Sequence, residues 1–120
     1  MDLTNPIEQA DVALASMTVH DDSTTVNFEG EIGKYGAVFG TITLTSLYEG
    51  KTRGLLDGNA RAILEDGTML SSPLTGTWTR DGGEAKFFFC DCVDNGDQNF
   101  VVWDVNFREK KASIRVYSLL

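Results

Sequence analysis

The sequence predicts an all-β protein: a single antiparallel up-and-down barrel of about eight strands with a short N-terminal helix. Turn signals divide the 120-residue chain into segments rich in Val, Ile, Thr, Phe, Tyr and Trp, the residue types enriched in strands. The turns are predicted at Asp21-Asp22-Ser23, Glu49-Gly50, Asp66-Gly67, Arg80 to Gly83, Asn95-Gly96 and Arg108 to Lys111. No segment offers a crossover helix, so strands are expected to pair with their neighbours in sequence. Closure into a barrel would remove two aggregation-prone edges.

Length and charge restrict the classes of protein to consider. Residues 1–120 fit one domain with one core. Eighteen acidic residues against ten Lys and Arg give a net charge of −8, which disfavours nucleic acid as a partner. No apolar run is long enough for a membrane span. The stretch before Lys34 contains no Lys or Arg and lacks the apolar run of an export signal, so we expect a cytoplasmic protein.

The N-terminal segment carries helix-start signals. Asn5 is a favourable N-cap, Pro6 fits the first helical position, and Glu8 lies three residues after the cap, which together predict a helix over residues 6–10. From Val12 the alternation of side chains predicts a strand. Helical spacing of apolar residues competes with that interpretation as far as Met17.

Three long strands are predicted next. Residues 24–32 place Val26 and Phe28 on one face, and Gly30 and Gly33 would allow a bend or bulge. Residues 35–48 form the longest candidate strand. Residues 51–65 show the clearest alternation in the chain between polar side chains and small or aliphatic ones, which favours strong curvature or space inside a barrel.

The C-terminal half predicts four more strands. Residues 68–79 return from the Asp66-Gly67 turn, with a break or bulge expected at Pro73, which cannot donate a ladder hydrogen bond. Residues 84–93 and 98–107 form a hairpin through Asn95-Gly96. The last strand covers residues 112–119. One face of the hairpin is strongly apolar, and Phe88, Phe100 and Val102 on its opposite face predict a patch that a homodimer would cover.

Asp91 is the candidate catalytic residue. It interrupts the apolar stripe formed by Phe87, Phe89 and Val93, so it would face the interior if those residues do. Desolvation among aromatic rings favours a neutral carboxyl group, which could serve as a general acid or base. The alternatives are that Asp91 faces outward or pairs with an arginine such as Arg53 or Arg61.

A set of aromatic residues, together with Arg61 as a polar group, could line a ligand pocket. These candidate ligand-binding residues are Tyr35, Phe39, Arg61, Trp78, Phe87, Phe89, Trp103 and Tyr117. Ordinary core packing explains the aromatic residues equally well. An eight-stranded barrel can be filled by side chains or can hold one small ligand.

Other reactive residues do not form a recognisable site. His20, the only histidine, lies in a predicted turn. Cys90 and Cys92 point to one face of a strand as a buried pair of reduced thiols, and two thiolates do not complete a zinc site. Asp94, Asn95, Asp97 and Asn99 offer oxygen ligands without the spacing of a calcium loop. We therefore expect neither a metal nor a cofactor.

The segment from Gly33 to Thr41, the succession of hairpins and the Leu74-Thr75-Gly76-Thr77-Trp78 strand resemble small antiparallel barrels of the calycin and allene oxide cyclase-like kind. The resemblance covers most of the chain as architecture. It implies either a binder of apolar small molecules or an enzyme that guides cyclisation or isomerisation in a shaped cavity. No catalytic residue of such proteins can be matched to a position of this chain.

These observations lead to one principal functional hypothesis and two alternatives. The principal hypothesis is a barrel that encloses a small, largely apolar organic molecule and acts as a cofactor-independent cyclase, isomerase or dehydratase through Asp91. In the first alternative, the barrel core is solid and the protein is an interaction module. In the second, the protein carries a small molecule without chemistry.

Overall fold

The computed structural model describes residues 3–120, which form a closed antiparallel barrel. Its strands are β1 (Glu8–Val19), β2 (Ser23–Glu31), β3 (Ala37–Ser46), β4 (Arg53–Ile63), β5 (Met69–Asp81), β6 (Glu84–Cys92), β7 (Gln98–Asn106) and β8 (Lys111–Ser118). Each strand pairs with its neighbour in sequence, and β1 pairs with β8. The predicted all-β up-and-down barrel is therefore confirmed. No helix in the described residues is long and apolar enough to cross a membrane.

The predicted N-terminal helix over residues 6–10 is wrong. Residues from Glu8 onward belong to β1, and Glu8 to Ala13 pair with Val116 to Lys111 of β8. This ladder closes the barrel, and the backbone N–H of Ile7 extends it by donating to the Val116 carbonyl at 2.7 Å. Long-range pairing therefore outweighs the local helix-start signals.

A bulge in β1 changes which residues face the interior. Leu14 pairs with Phe28 and Ser16 with Asn27, so Ala15 is an extra residue without a partner in β2. Val12 and Leu14 are buried before the bulge, and the inward phase shifts after it. The bulge therefore lies on β1, whereas the sequence predicted a bend or bulge near the glycines of β2.

The predicted strand over residues 35–48 is shorter than expected at both ends. Tyr35 belongs to a 3-10 turn, Gly33–Tyr35, which ends at Gly36 with a positive φ of 71°. Tyr48 lies in the connection after β3 with a φ of 72°. This turn carries Tyr35 off the sheet and buries its side chain at the end of the barrel.

Small inward residues of β4 allow close approach to β3. A Cβ atom added to Gly54 would lie 1.8 Å from the Thr45 carbonyl oxygen, and one added to Gly58 would lie 2.2 Å from the Thr41 carbonyl oxygen. Even-numbered residues of β4 face inward, as their alternation predicts. The glycines are therefore needed for the strong curvature of this wall.

Pro73 does not break β5, which contradicts the sequence prediction. It lies opposite Asn59 in the ladder with β4, whereas the ladder between β5 and β6 begins one residue later, with Leu74 opposite Asp91. On the N-terminal side of Pro73, two hydrogen bonds connect β5 with the residues that follow β6. The Asp94 N–H donates to the Ser71 carbonyl at 3.0 Å, and the Ser71 N–H donates to Asp94 Oδ1 at 3.2 Å.

The inner faces of all eight strands form one hydrophobic core centred on Trp103. Its ring packs edge-on against Phe28 at a centroid distance of 4.8 Å and stacks on Phe87 at 5.6 Å. Phe89 contacts a further side of the indole at 5.9 Å. Three aromatic neighbours therefore fix the orientation of the Trp103 ring.

The outer face of β6 and β7 differs from its prediction in two respects. Cys90 and Cys92 are exposed free thiols, so the expected burial of this pair is wrong. Phe88 and Phe100 are half-buried and Val102 is buried. The exposed apolar patch is accordingly smaller than expected.

Candidate functional site

The two ends of the barrel carry different connections. At one end, which we name the Tyr35 end, residues 32–36, 64–68 and 93–97 join the strands. Residues 20–22, 47–52, 82–83 and 107–110 join strands at the opposite end, which we name the His20 end.

A cavity of about 70 Å³ lies inside the barrel towards the Tyr35 end. Most of its lining is apolar, contributed by residues such as Phe28, Leu74, Phe89 and Val101. It reaches the half-exposed residues Arg61 and Ser71, which mark its mouth. The residues at the mouth come from β4 and β5, next to the position where Pro73 interrupts the bonding between β5 and β6.

Asp91 faces this cavity from β6. It follows Phe87 and Phe89 on the inward face of the strand, and its Oδ1 atom is buried without a hydrogen-bond partner among the described residues. Burial raises the pKa of the Asp91 carboxyl group to about 6, although hydrogen bonds from Asn99 act in the opposite direction. The negative charge of Asp97 raises this pKa further.

A hydrogen-bonded chain connects Asp91 with the surface. Asn99, which is 1% exposed, interacts with Asp91 and donates from Nδ2 to the Tyr35 hydroxyl at 3.0 Å. The Tyr35 hydroxyl donates to Asp97 Oδ2 at 2.7 Å, and Lys34 Nζ lies 3.3 Å from the same oxygen. The 3-10 turn is therefore attached to β7 by polar side chains that end beside the cavity.

The same chain shifts the pKa values of its outer members in opposite directions. Burial raises the pKa of Tyr35 well above its ordinary value, and the hydrogen bond to Asp97 adds to this effect. Tyr35 in turn lowers the pKa of the Asp97 carboxyl group by donating to it. Tyr35 therefore stays protonated, Asp97 stays ionised, and Asp91 is the member that titrates near neutral pH.

Trp103 supplies the second unpartnered polar atom of the cavity lining. The residue is 1% exposed, and its Nε1 atom is buried without a hydrogen-bond partner among the described residues. An indole N–H is a donor only, so it requires an acceptor. Two residues of the lining, Asp91 and Trp103, therefore each carry a buried polar atom without a hydrogen-bond partner among the described residues.

The structure brings five of the predicted site residues to this cavity: Tyr35, Arg61, Phe89, Asp91 and Trp103. Asp91 faces inward and forms no ion pair with Arg61, whose Nη1 instead donates to the Ala60 carbonyl at 2.9 Å. Arg53 cannot be its cross-strand partner either, since β4 is not adjacent to β6.

Four other predicted ligand-binding residues lie elsewhere. Phe39 is 41% exposed on the outer surface, and Tyr117 lies on the outer side of β8 near Arg115. Trp78 borders a groove at the His20 end and donates from Nε1 to the Thr45 carbonyl at 3.3 Å. Phe87 is fully buried against Trp103, outside the cavity lining.

Sequence reasoning missed the role of Asn99 and its connection to Tyr35. From the sequence, Asn99 is interpreted only as an oxygen ligand of the 94–99 segment. The signal was available: Asn99 is in phase with Val101 and Trp103, so a polar amide interrupts an inward apolar stripe in the same way as Asp91 does. Two interruptions on adjacent strands, paired in register, mark a polar site inside the barrel.

The described residues contain no group of three or more His, Cys, Asp and Glu side chains positioned for a metal ion. Comparisons with protein-family models, with curated proteins and with solved structures gave no match. The resemblance to calycin and allene oxide cyclase-like barrels is therefore supported only at the level of a closed eight-stranded architecture.

Proposed function

We propose that this barrel binds a small, largely apolar organic molecule in the cavity at the Tyr35 end, and that Asp91 transfers a proton to or from it. The observation that carries the proposal is that Asp91, whose Oδ1 atom is buried without a partner among the described residues, belongs to the lining of an apolar cavity. A buried polar atom without a partner costs stability. Such an arrangement is typical of a group that acts on a ligand.

The cavity volume limits the ligand. An apolar cavity of about 150 Å³ holds benzene, so the 70 Å³ observed here accommodates only a few heavy atoms. A larger molecule would place one end inside and extend through the mouth at Arg61 and Ser71. The walls select apolar groups, while Asp91 and Trp103 supply the polar contacts.

The chemistry available to Asp91 fits cofactor-independent isomerisation, cyclisation or dehydration. A carboxyl group with a pKa of about 6 exchanges protons readily near neutral pH, which is what a general acid or base requires. Its inward-facing position within the apolar lining restricts access of bulk water, and this strengthens electrostatic interactions with a bound molecule. Tyr35 and Asn99 hold the carboxyl region in place.

The competing functions are a carrier without chemistry and an interaction module with a solid core. The cavity argues against a solid core, and the perturbed carboxyl group favours chemistry over passive carriage. We also propose a cytoplasmic location, because two exposed free thiols suit a reducing compartment. Any homodimer would use the half-buried outer face of β6 and β7.

Intrinsic fluorescence can test binding. The chain has two tryptophans, so Trp78→Phe leaves Trp103 as the single indole emitter beside the cavity. We expect a saturable change in Trp103 emission on titration with cyclopentane, cyclopentanol or cyclopentanone, each of which would place part of its ring in the cavity and the rest in the mouth at Arg61 and Ser71. Native mass spectrometry of the purified protein should show a co-purifying molecule of low mass.

A cavity-filling variant provides the matched comparison. Ala60→Leu places a larger side chain in the lining, and Leu55→Ser changes an exposed residue of the same strand. We expect Ala60→Leu to abolish the fluorescence response while Leu55→Ser preserves it, with circular dichroism confirming the fold of both. If no probe gives a saturable response with the Trp78→Phe protein, the binding function is refuted.

A further inference from the structure

We infer that the ligand of this site is a small organic carboxylate, with its apolar part in the cavity and its carboxylate bound by Arg61 at the mouth. This inference rests on the proposed function and names the chemical class of the ligand. It makes Arg61 a specificity-determining residue, which selects ligands by their charge.

The Arg61 guanidinium lies at the edge of the cavity and keeps most of its donors available. Its Nη1 donates to the Ala60 carbonyl at 2.9 Å, and both residues belong to the cavity lining. This bond uses one of the five N–H groups of a guanidinium. Arg61 is half-exposed and takes part in none of the ion pairs found within residues 3–120. The remaining N–H groups are therefore available to a ligand in the mouth.

Uncharged side chains surround Arg61 on the outer face of the sheet. The register places Phe39 of β3 and Ser71 of β5 directly beside it. The diagonal and same-strand neighbours on this face are also uncharged: Ala37, Thr41, Asn59, Ile63, Met69 and Pro73. Three of these nearby residues, Phe39, Ile63 and Met69, are large, apolar and exposed. A single cation in a partly apolar surface beside the cavity suits a ligand with one negative charge and an apolar body.

The acidic residues of this region do not neutralise Arg61. Those nearest to it along the register and in the connection after β4 are Glu29, Asp57, Glu65, Asp66 and Asp94. Glu29 lies opposite Phe39 on β2, and Asp94 lies on the far side of β5, where it accepts from the Ser71 N–H. Each backbone is two strand spacings from that of Arg61, or about 10 Å. Exposed charges at that distance are largely screened at physiological ionic strength.

The charge of Arg61 favours a carboxylate over other charged groups. The planar guanidinium can bind both oxygens of a carboxylate, and such charge-assisted hydrogen bonds are stronger than neutral ones. A carboxylate matches one positive charge with one negative charge. A phosphate monoester carries nearly two and would add negative charge to a chain with a net charge of −8. An ammonium group would meet the guanidinium as a like charge.

The size of the cavity determines which end of the ligand enters it. A cavity of about 70 Å³ accommodates only a few heavy atoms, so the rest of the molecule lies in the mouth. A carboxylate placed inside would lose its hydration and face Asp91. The apolar end therefore enters the cavity, and the carboxylate remains beside the half-exposed Arg61.

Matched probes with one carbon skeleton test the charge of the ligand. We would titrate the Trp78→Phe protein with cyclopentylacetate, 2-cyclopentylethanol and 2-cyclopentylethylammonium at neutral pH and low ionic strength, and follow Trp103 emission. We expect cyclopentylacetate to bind about tenfold more tightly than the alcohol, because it forms charge-assisted hydrogen bonds with Arg61. The ammonium compound should bind most weakly. High salt should reduce the preference for the carboxylate.

Two arginine variants of β4 test whether Arg61 makes this selection. Arg61→Gln removes the charge and keeps a polar side chain, so it should weaken cyclopentylacetate binding about tenfold and leave the affinity for the alcohol unchanged. Arg53→Gln is the matched control, because Arg53 is exposed on the same strand, eight residues away. It should leave the preference for the carboxylate intact. Circular dichroism confirms the fold of both variants.

The outcomes separate this inference from the proposed function. Equal affinity for the carboxylate and the alcohol overturns the inference, while the binding function stands. A preference for the carboxylate that survives Arg61→Gln overturns it as well, because the anion would then bind elsewhere. Tightest binding of the ammonium compound overturns it in favour of an organic cation. Failure of every probe to bind, including the uncharged ones, refutes the proposed function and the inference with it.

Discussion

At the scale of single residues, the protein keeps one carboxyl group in an environment that disfavours its charge. Asp91 is held between apolar side chains and an amide, Asn99, that stabilises the carboxylate. These opposing effects leave its pKa at about 6 instead of the ordinary 3.8. The placement therefore reduces fold stability at neutral pH.

The stability of the Asp91→Asn variant relative to wild type should depend on pH. Because the folded-state pKa of Asp91 is raised, the protein loses stability from this group as pH increases from about 4 through 6. We compare the free energy of unfolding of Asp91→Asn with that of wild type at each pH. We expect the difference, variant minus wild type, to be larger at pH 7 than at pH 4 by on the order of 2 kcal/mol. Urea unfolding at both pH values measures this difference.

The control for this experiment is Asp57→Asn on the outer face of β4. It should change the unfolding free energy by no more than about 0.5 kcal/mol at either pH. A difference between Asp91→Asn and wild type that stays constant from pH 4 to pH 7 would show that the Asp91 carboxyl group is not desolvated.

Replacing Asn99 should raise the pKa of Asp91 further. Asn99→Leu keeps the approximate volume and removes the side-chain hydrogen bond that favours the carboxylate, while the bond from the residue 99 backbone remains. Titration of the ¹³C-labelled Asp91 carboxyl signal by NMR should then give a midpoint above about 6. Asn59→Leu on the exposed face of β4 is the comparison, and an equal midpoint in both variants would contradict the assigned interaction.

At the scale of secondary structure elements, curvature depends on strand positions where no Cβ atom fits. The inner face of β4 approaches the β3 backbone so closely that Gly54 cannot acquire a side chain without movement of the Thr45 carbonyl. This is a backbone contact, which cannot rotate away as a flexible side chain would. The β3–β4 wall therefore fixes the cross-section of the barrel around the core.

Gly54→Ala should destabilise the fold strongly. The added Cβ would lie 1.8 Å from the Thr45 carbonyl oxygen, so β3 and β4 must separate. We expect a loss of about 3 kcal/mol in the free energy of unfolding, measured in urea. Gly50→Ala, whose nearest neighbour would lie at an ordinary 3.6 Å, should cost less than about 1 kcal/mol. Similar losses in both variants would show that β3 can yield.

At the scale of the whole molecule, closure by β1 and β8 makes the barrel one continuous ladder. Glu8 to Ala13 pair with residues more than ninety positions away in the sequence. Neither strand is an edge, so both terminal strands share the protection of the central ones. Hydrogen exchange is the observable that reports this property.

Amide hydrogen exchange should show similar protection in the terminal and central strands. We expect backbone amides of β1 that bond to β8 to exchange within about tenfold of those that join β4 and β5, because opening either pair disrupts the same closed ladder. Exchange more than about a hundredfold faster in β1 and β8 would contradict a closed barrel in solution.

The sequence predicted most of this architecture because strand periodicity and turn chemistry are local properties. It failed at residues 6–10, where local helix-start signals compete with pairing to β8 that no local pattern reveals. The prediction of a break at Pro73 was also wrong. The missing N–H of Pro73 lies on the side of β5 that faces β6, where the ladder is interrupted, so pairing between β5 and β4 continues past this residue.

The candidate site was predictable in part for the same reason. Asp91 interrupts an apolar stripe, so its inward position follows from alternation alone. The participation of Tyr35 depends on a 3-10 turn that brings it to Asn99, 64 positions later in the chain. Contacts of that kind depend on how the ends of the barrel are covered, which strand periodicity does not encode.

The exposed thiols on β6 offer a practical consequence. Cys90 and Cys92 flank Asp91 in the sequence but project to the opposite side of the same strand. In a Cys92→Ser protein, a fluorophore attached to Cys90 would sit outside the wall, one residue from the carboxyl group inside it. Occupancy of the interior could then be followed from the surface, without any reporter entering the cavity.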